Sequence, residues 1–379
     1  MLNKFYWALP AHLMSRDQQH VEYDLTECLN TFKANEFWKR KIAYDSQVGL
    51  TPENLAKFSS IKIKLIPHNG VHFRVHNHSH TILTDLLGNI DSDLQYIVER
   101  GNLRTAKSLV IVTIEYESDI PLMTNCKKEN EFDPERIFSL DEDFQMIYLE
   151  CQTLANEMAS FFLTALHLVH PTRNSGVETG FQQSSGLIVF ENDNGRYYSD
   201  AHSDIITHPV LIESSNTITL AGTLDILANV WHKELWTIHS YLKALRSDRI
   251  EIDNFLDLMF TLESFFPDQA SAEFIRTTAS ILCGDTLKDA QEIDLKLKVA
   301  FKIRNEVAHG GIHFRIMDYF AFGSKKYLIL LLFWDLKTIV TNLMIHAMKN
   351  LLKPENHQQN KLSITTNDLY EKFYSKQTN

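Results

Sequence analysis

Cysteine is scarce in this chain, with four among 379 residues, and Cys28, Cys126, Cys151 and Cys283 form no CxxC or CxxH pair. That pattern argues against a disulfide framework and a cysteine-based zinc site, and it suits a reducing, cytoplasmic setting. One Lys precedes a short apolar run ended by Pro10, too little for a signal peptide or an anchor. The late apolar run 327–334 is followed by Asp335 and Lys337, which predicts a buried bundle helix and no membrane span. The first 210 residues hold no P-loop, GxGxxG, HExxH or GxSxG motif.

What is present is ordinary globular material. The chain is 44% hydrophobic and 22% charged, enough at this length for two domains with full cores. Its net charge of −11 argues against a general nucleic-acid coat, but the charge is unevenly spread. Residues 1–231 carry a balance of −12, residues 232–353 a balance of +1, and the tail 354–379 is neutral. Lys296, Lys298, Lys302, Arg304, Arg315, Lys325 and Lys326 supply a local basic patch in the second part.

The fold class this predicts is α+β: a mixed domain over 1–210, a helical bundle over 215–352 and a tail over 354–379. The first fifty residues lean towards helix. Residues 61–66 and 71–75 alternate as strands, 91–101 reads as a short helix, and 108–117 as an apolar central strand. A polar loop over 119–140 leads to an amphipathic helix over 141–170, with His167 and His170 at its C-terminal end. A hairpin turns at Asn194-Gly195. His68, His72, His76, His78 and His80 invite a metal site, yet no Cys or nearby carboxylate completes the ligands, so they read as a solvated strand face. No metal and no cofactor is expected.

Helical periodicity dominates the second part, with helices predicted over 220–245, 250–266, 271–282, 287–309 and 325–352. The 287–309 helix ends in Arg304-Asn305-Glu306-Val307-Ala308-His309-Gly310. Gly310 supplies the left-handed residue that stops it, so His309 falls in the last turn, where the negative end of the helix dipole favours an imidazolium. Asn305 and His309, four apart, share one stripe, and the long side chain of Arg304 reaches the same surface. A cation, an amide and an imidazole suit a phosphate-like anion. Bare spacing is weak grounds, since chance alone gives about 0.6 Arg-x4-His pairs in this composition.

Three stretches in order carry more. Residues 256–266 end an apolar helix in Leu262-Glu263, Phe274-Ile275-Arg276 runs into Ile281-Leu282, and 299–310 closes with Arg304, Asn305, His309 and Gly310. Together they resemble the Apea-like branch of the HEPN superfamily over roughly residues 215–352. The resemblance implies a helical bundle working as a homodimer. It implies a metal-independent endoribonuclease whose 2′-hydroxyl chemistry leaves 2′,3′-cyclic phosphate and 5′-hydroxyl ends. It points to RNA (tRNA or mRNA) as substrate and to a role as a toxin or antiviral defence effector.

On that reading Arg304, Asn305 and His309 are catalytic, supported by Glu263, Arg276 and Lys302. His309 moves protons and Arg304 stabilises phosphorane charge, both side chains being exposed at the helix end. Glu263, charged among apolar neighbours, reads as a structural partner of Arg276 or Arg304 and not as a base. The alternative is a non-catalytic RNA-binding or protein-interaction module in which Arg304 is only salt-bridged and His309 only a cap.

Overall fold

The computed structural model describes residues 2–10, 13–15, 21–34, 55–66, 68–69, 109–117, 142–169, 186–192, 195–201, 210–212, 217–231, 235–245, 251–310, 313–352 and 364. These residues form helices and an antiparallel sheet, a mixed α+β chain. It divides into two units, Met1–Leu163 with Phe181–Leu224, and Thr164–Gly180 with Asp225–Asn379.

The chain opens with β1 (Leu2–Pro10), β2 (Leu13–Ser15), β3 (Val21–Asp24), α1 (Thr26–Ala34), β4 (Phe58–Ile66), β5 (His68–Asn69) and β6 (Leu109–Glu117). Then come α2 (Glu142–Val169), β7 (Gly186–Asn192), β8 (Gly195–Ala201) and β9 (Val210–Ile212). Six strands make an antiparallel sheet in the order β3-β4-β6-β1-β7-β8, while β5, β2 and β9 pair in parallel. The expectation that the first fifty residues lean to helix is overturned at their start. There β1 lies between β6 and β7, with Phe5 opposite both Ile114 and Phe190. An unbroken apolar run fits a buried helix or a buried strand equally well, and pairing on both edges decides for strand.

Strand β4 alternates as its sequence dictates: Ile61, Ile63 and Leu65 are buried, and Lys62 lies outward within 3.9 Å of Glu22. Helix α2 buries Leu154, Met158, Phe161 and Phe162, and its Tyr148 ring packs 5.6 Å from Phe190 of the sheet. Phe161 meets Phe32 of α1 at 5.2 Å and Phe162 meets Tyr23 of β3 at 5.0 Å. Each such buried ring contributes about 1.5–3 kcal/mol. His167, in the last turn of α2 as expected, is fully buried. The strand over 71–75, the helix over 91–101, the loop over 119–140, His170 and the histidines from 72 to 80 lie outside the described residues.

Beyond β9 run α3 (Thr217–Val230), α4 (Leu235–Leu245), α5 (Ile252–Ser264), α6 (Ala272–Cys283) and α7 (Leu287–Ala308). A hairpin of β10 (Tyr319–Phe322) and β11 (Lys325–Leu328) leads to α8 (Ile329–Leu351). Two expectations change here. The single helix over 220–245 is two, α3 and α4, and the first four residues of the helix over 325–352 are a strand. Gly323, at φ +61°, takes the left-handed conformation that a two-residue hairpin connection demands.

Local chemistry starts and stops these helices. Ser271 accepts the Phe274 N–H at the start of α6, and Thr286 and Asp289 form a reciprocal capping box on α7. Between α6 and α7 the chain passes so close that a Cβ on Gly284 would sit 2.7 Å from the Ala290 nitrogen. Polar ties then cross the helices. Arg276 Nε donates to Asp294 at 2.8 Å, Lys296 lies 3.2 Å from Asp335, and the hydroxyls of Tyr241 and Thr341 meet at 2.8 Å. Ile364, in the expected tail, is buried and donates its N–H to the Phe265 carbonyl at the end of α5.

Helix α8 is, among the described residues, the one long and apolar enough to cross a bilayer, and most of its apolar window is buried against neighbouring helices. It carries Lys337, fully buried, with no hydrogen-bond acceptor for its amine among the described residues and the Trp334 ring centroid 5.2 Å away. Burial pushes the amine down to about 7. Unfolded, the same amine keeps its proton to about pH 10.4. Stability therefore rises as pH increases from about 7 to 10, and below about 7 the penalty, on the order of 4 kcal/mol, is complete. Lys337→Met is expected to stabilise the fold at neutral pH by roughly 2–4 kcal/mol, with the gain shrinking towards pH 10. Denaturant unfolding across that range checks this, and a pH-independent difference would contradict it.

Candidate active site

Glu263, one residue from the end of α5, and Arg304, in the last turns of α7, meet where the two helices pack together. Arg304 donates from Nη2 to Glu263 Oε2 at 3.1 Å and from Nη1 to Asn305 Oδ1 at 3.0 Å. The Phe260 ring, one turn before Glu263 on α5, lies 5.9 Å from the guanidinium carbon. Arg304 Nε is buried and has no acceptor among the described residues. Arg304 is thus held on three sides at 29% side-chain exposure, and of the two partners expected for Glu263, Arg276 and Arg304, it is Arg304 that meets it. The neighbouring carboxylate and ring neutralise and cover a planar cation.

Burial raises the Glu263 carboxyl above its ordinary range, and the nearby Arg304 only partly offsets this. At 27% exposure the pair is neither free surface nor dry core, so its coupling falls between those regimes.

Asn305 and His309 are both exposed, and the backbone joins them: the His309 N–H donates to the Asn305 carbonyl at 3.0 Å. His309 is the C-cap of α7, at φ −88° and ψ 7°, and Gly310 follows at φ +67°. The glycine turns the chain away from the helix axis.

The expected residues do not all gather. Glu263, Arg304 and Asn305 form one bonded group, with His309 one turn on. Arg276 is committed elsewhere, to Asp294, and ties α6 to α7. Lys302 lies over the Phe322 ring at 5.7 Å, towards the hairpin. Phe260 was missed. Its signal was legible, three residues before Glu263 and hence on the same face of α5, but it reads as core until Arg304 is placed.

No family model, no curated protein and no solved structure matches this chain.

The site has to be read from its chemistry. Each terminal nitrogen of Arg304 keeps a second N–H beyond its bond to Glu263 or Asn305, enough to hold anion oxygens. Asn305 adds an amide and His309 a group able to move a proton. Among the described residues no cluster of His, Cys, Asp and Glu is placed to hold a metal ion.

Glu263→Gln and Arg304→Met, combined in a double-mutant cycle, are expected to show a stability coupling on the order of 1 kcal/mol at neutral pH. Because the Glu263 carboxyl is raised, the coupling fades as pH is lowered sooner than for an ordinary glutamate. Denaturant titrations of the four proteins measure it, and a coupling of zero would show that the pair does not hold α5 to α7.

Proposed function

We propose that the chain is a metal-independent endoribonuclease of the HEPN type, with its site at the end of α7 (287–308). One observation carries the reading: Arg304, bonded at once to Glu263 and Asn305, is followed one turn later by an exposed His309. In the proposed reaction an RNA 2′-hydroxyl attacks the adjacent phosphorus and the bond to the 5′-oxygen breaks. The attacking hydroxyl loses its proton to a base, and the departing oxygen takes one from an acid. The products are a 2′,3′-cyclic phosphate and a 5′-hydroxyl.

His309 serves in proton transfer, Arg304 stabilises the charge that builds on the phosphorane oxygens, and Asn305 orients a phosphate oxygen or the imidazole. Glu263 holds the guanidinium in place. One chain offers one such imidazole, so a two-fold dimer that brings two helix ends together completes the acid–base pair. The proposed setting is the cytoplasm, and the proposed role, from the family resemblance, is that of a toxin or phage-defence effector acting on tRNA or mRNA.

A second reading is favoured by the same ion pair. If Glu263 and Arg304 serve only to pin α5 to α7, the bundle is a non-catalytic RNA-binding or protein-interaction module.

Purified protein incubated with total RNA in EDTA separates the two. Cleavage with cyclic-phosphate ends is expected, reduced about 10²–10⁴-fold in His309→Ala. Arg304→Ala is expected to cost about 2–4 kcal/mol in the transition state. Because that variant also strands the Glu263 carboxylate, Arg304→Lys is run beside it to separate folding from chemistry. Activity that vanishes on chelation, or that survives every substitution, removes the site from this helix. Light scattering at micromolar concentration is expected to give a dimer, and a strict monomer would count against the shared site.

A further inference from the structure

Eight cations of the second unit fall into two groups. Lys243, Arg276, Lys296 and Arg304 are each within ion-pair distance of a carboxylate. Lys298, Lys302, Lys325 and Lys326 are exposed and make no ion pair among the described residues. These four gather on the C-terminal half of α7 and on the hairpin of β10 and β11.

One aromatic ring organises three of them. The Phe322 ring lies 6.0 Å from Lys298 Nζ and 5.7 Å from Lys302 Nζ, two residues one turn apart on α7. Lys325 is the cross-strand partner of Phe322 and so shares its face of the hairpin. Lys326, opposite Ala321, is on the other face with Tyr319, which is 64% exposed and so open to stacking. On the hairpin's approach Asp318 accepts the Arg315 N–H at 2.7 Å in its own turn. At about 1.5 Å of rise per residue, Lys302 is roughly 10 Å along α7 from His309.

We propose that these lysines and aromatic rings, on α7 and on the two faces of the hairpin, hold a single-stranded RNA and lead it to the end of α7. The inference rests on the reading of RNA as the ligand. Unpaired lysines meet the phosphates, and the exposed Tyr319 ring stacks with a base. Charge complementarity selects a polyanion. The exposed Tyr319 ring, on the same hairpin face as Lys326, selects a strand with unpaired bases over an acidic protein segment or a closed duplex.

The test is binding of the full chain, in EDTA, to a fluorescein-labelled oligouridylate with 2′-O-methyl groups, which cannot cleave itself. Lys298→Glu and Lys325→Glu are each expected to weaken binding about tenfold and to make the slope of log affinity against log salt shallower by about 0.7 or more. Tyr319→Ala is expected to weaken binding about tenfold while leaving that slope unchanged. Lys325→Gln, which removes charge without reversing it, is expected to show the same shallower slope if Lys325→Glu fails to fold. Unchanged affinity and slope in the hairpin variants would overturn the proposal. So would equal competition by polyglutamate, which would mark the surface as a dock for an acidic protein. Binding that responds to these variants in a chain that never cleaves RNA defeats the nuclease reading and leaves this surface standing.

Discussion

The contact between Glu263 and Arg304 is the constraint on which the rest of the candidate site depends. A carboxylate near the end of one helix and a guanidinium near the end of another fix where those two ends meet. Everything chemically active then follows within one turn: Asn305 takes a second bond from the same guanidinium, and His309 caps the helix before Gly310 turns the chain away. Burial makes the pair costly, which is why the carboxyl is raised, and the hydrogen bonds make it directional. The bundle around it tolerates that cost because it is tied by Arg276 to Asp294, Lys296 to Asp335 and Tyr241 to Thr341.

Placing Arg304 also divides the local charge into two kinds. Cations that meet a carboxylate are neutralised and act as fasteners. Those that face the Phe322 ring keep their charge, since a π face attracts an ammonium without cancelling it. A net charge of −11 for the whole chain is compatible with such a surface, because the acidity lies mostly in residues 1–231. The buried Lys337 is a third kind, a cation with no ion-pair partner among the described residues, and burial brings it towards its neutral form at neutral pH.

Much of the α+β outline was legible in residue patterns. The alternating β4, the apolar β6, the long α2 and the Gly195 hairpin stand close to their expected bounds. Two segments were misread for one physical reason. The run that became β1 and the residues that became β11 adjoin apolar stretches that suit a buried helix or strand alike, and the partner strands settle the choice. The Gly323-Ser324 pair between aromatic runs was a hairpin signal in plain view.

By itself the sequence determined what local chemistry can determine. Gly310 ends α7 because it accepts a left-handed conformation, and that places His309 at the C-cap with Asn305 one turn earlier. Which acid would meet Arg304 was not written locally, since Glu263 is 41 residues away and Arg276 competed for it. Packing of α5 on α7 gave Glu263 to Arg304, and packing of α6 on α7 gave Asp294 to Arg276. The difference is one of range. Helix stops depend on neighbours within a turn or two, whereas ion pairs between helices depend on which faces the hydrophobic core brings together.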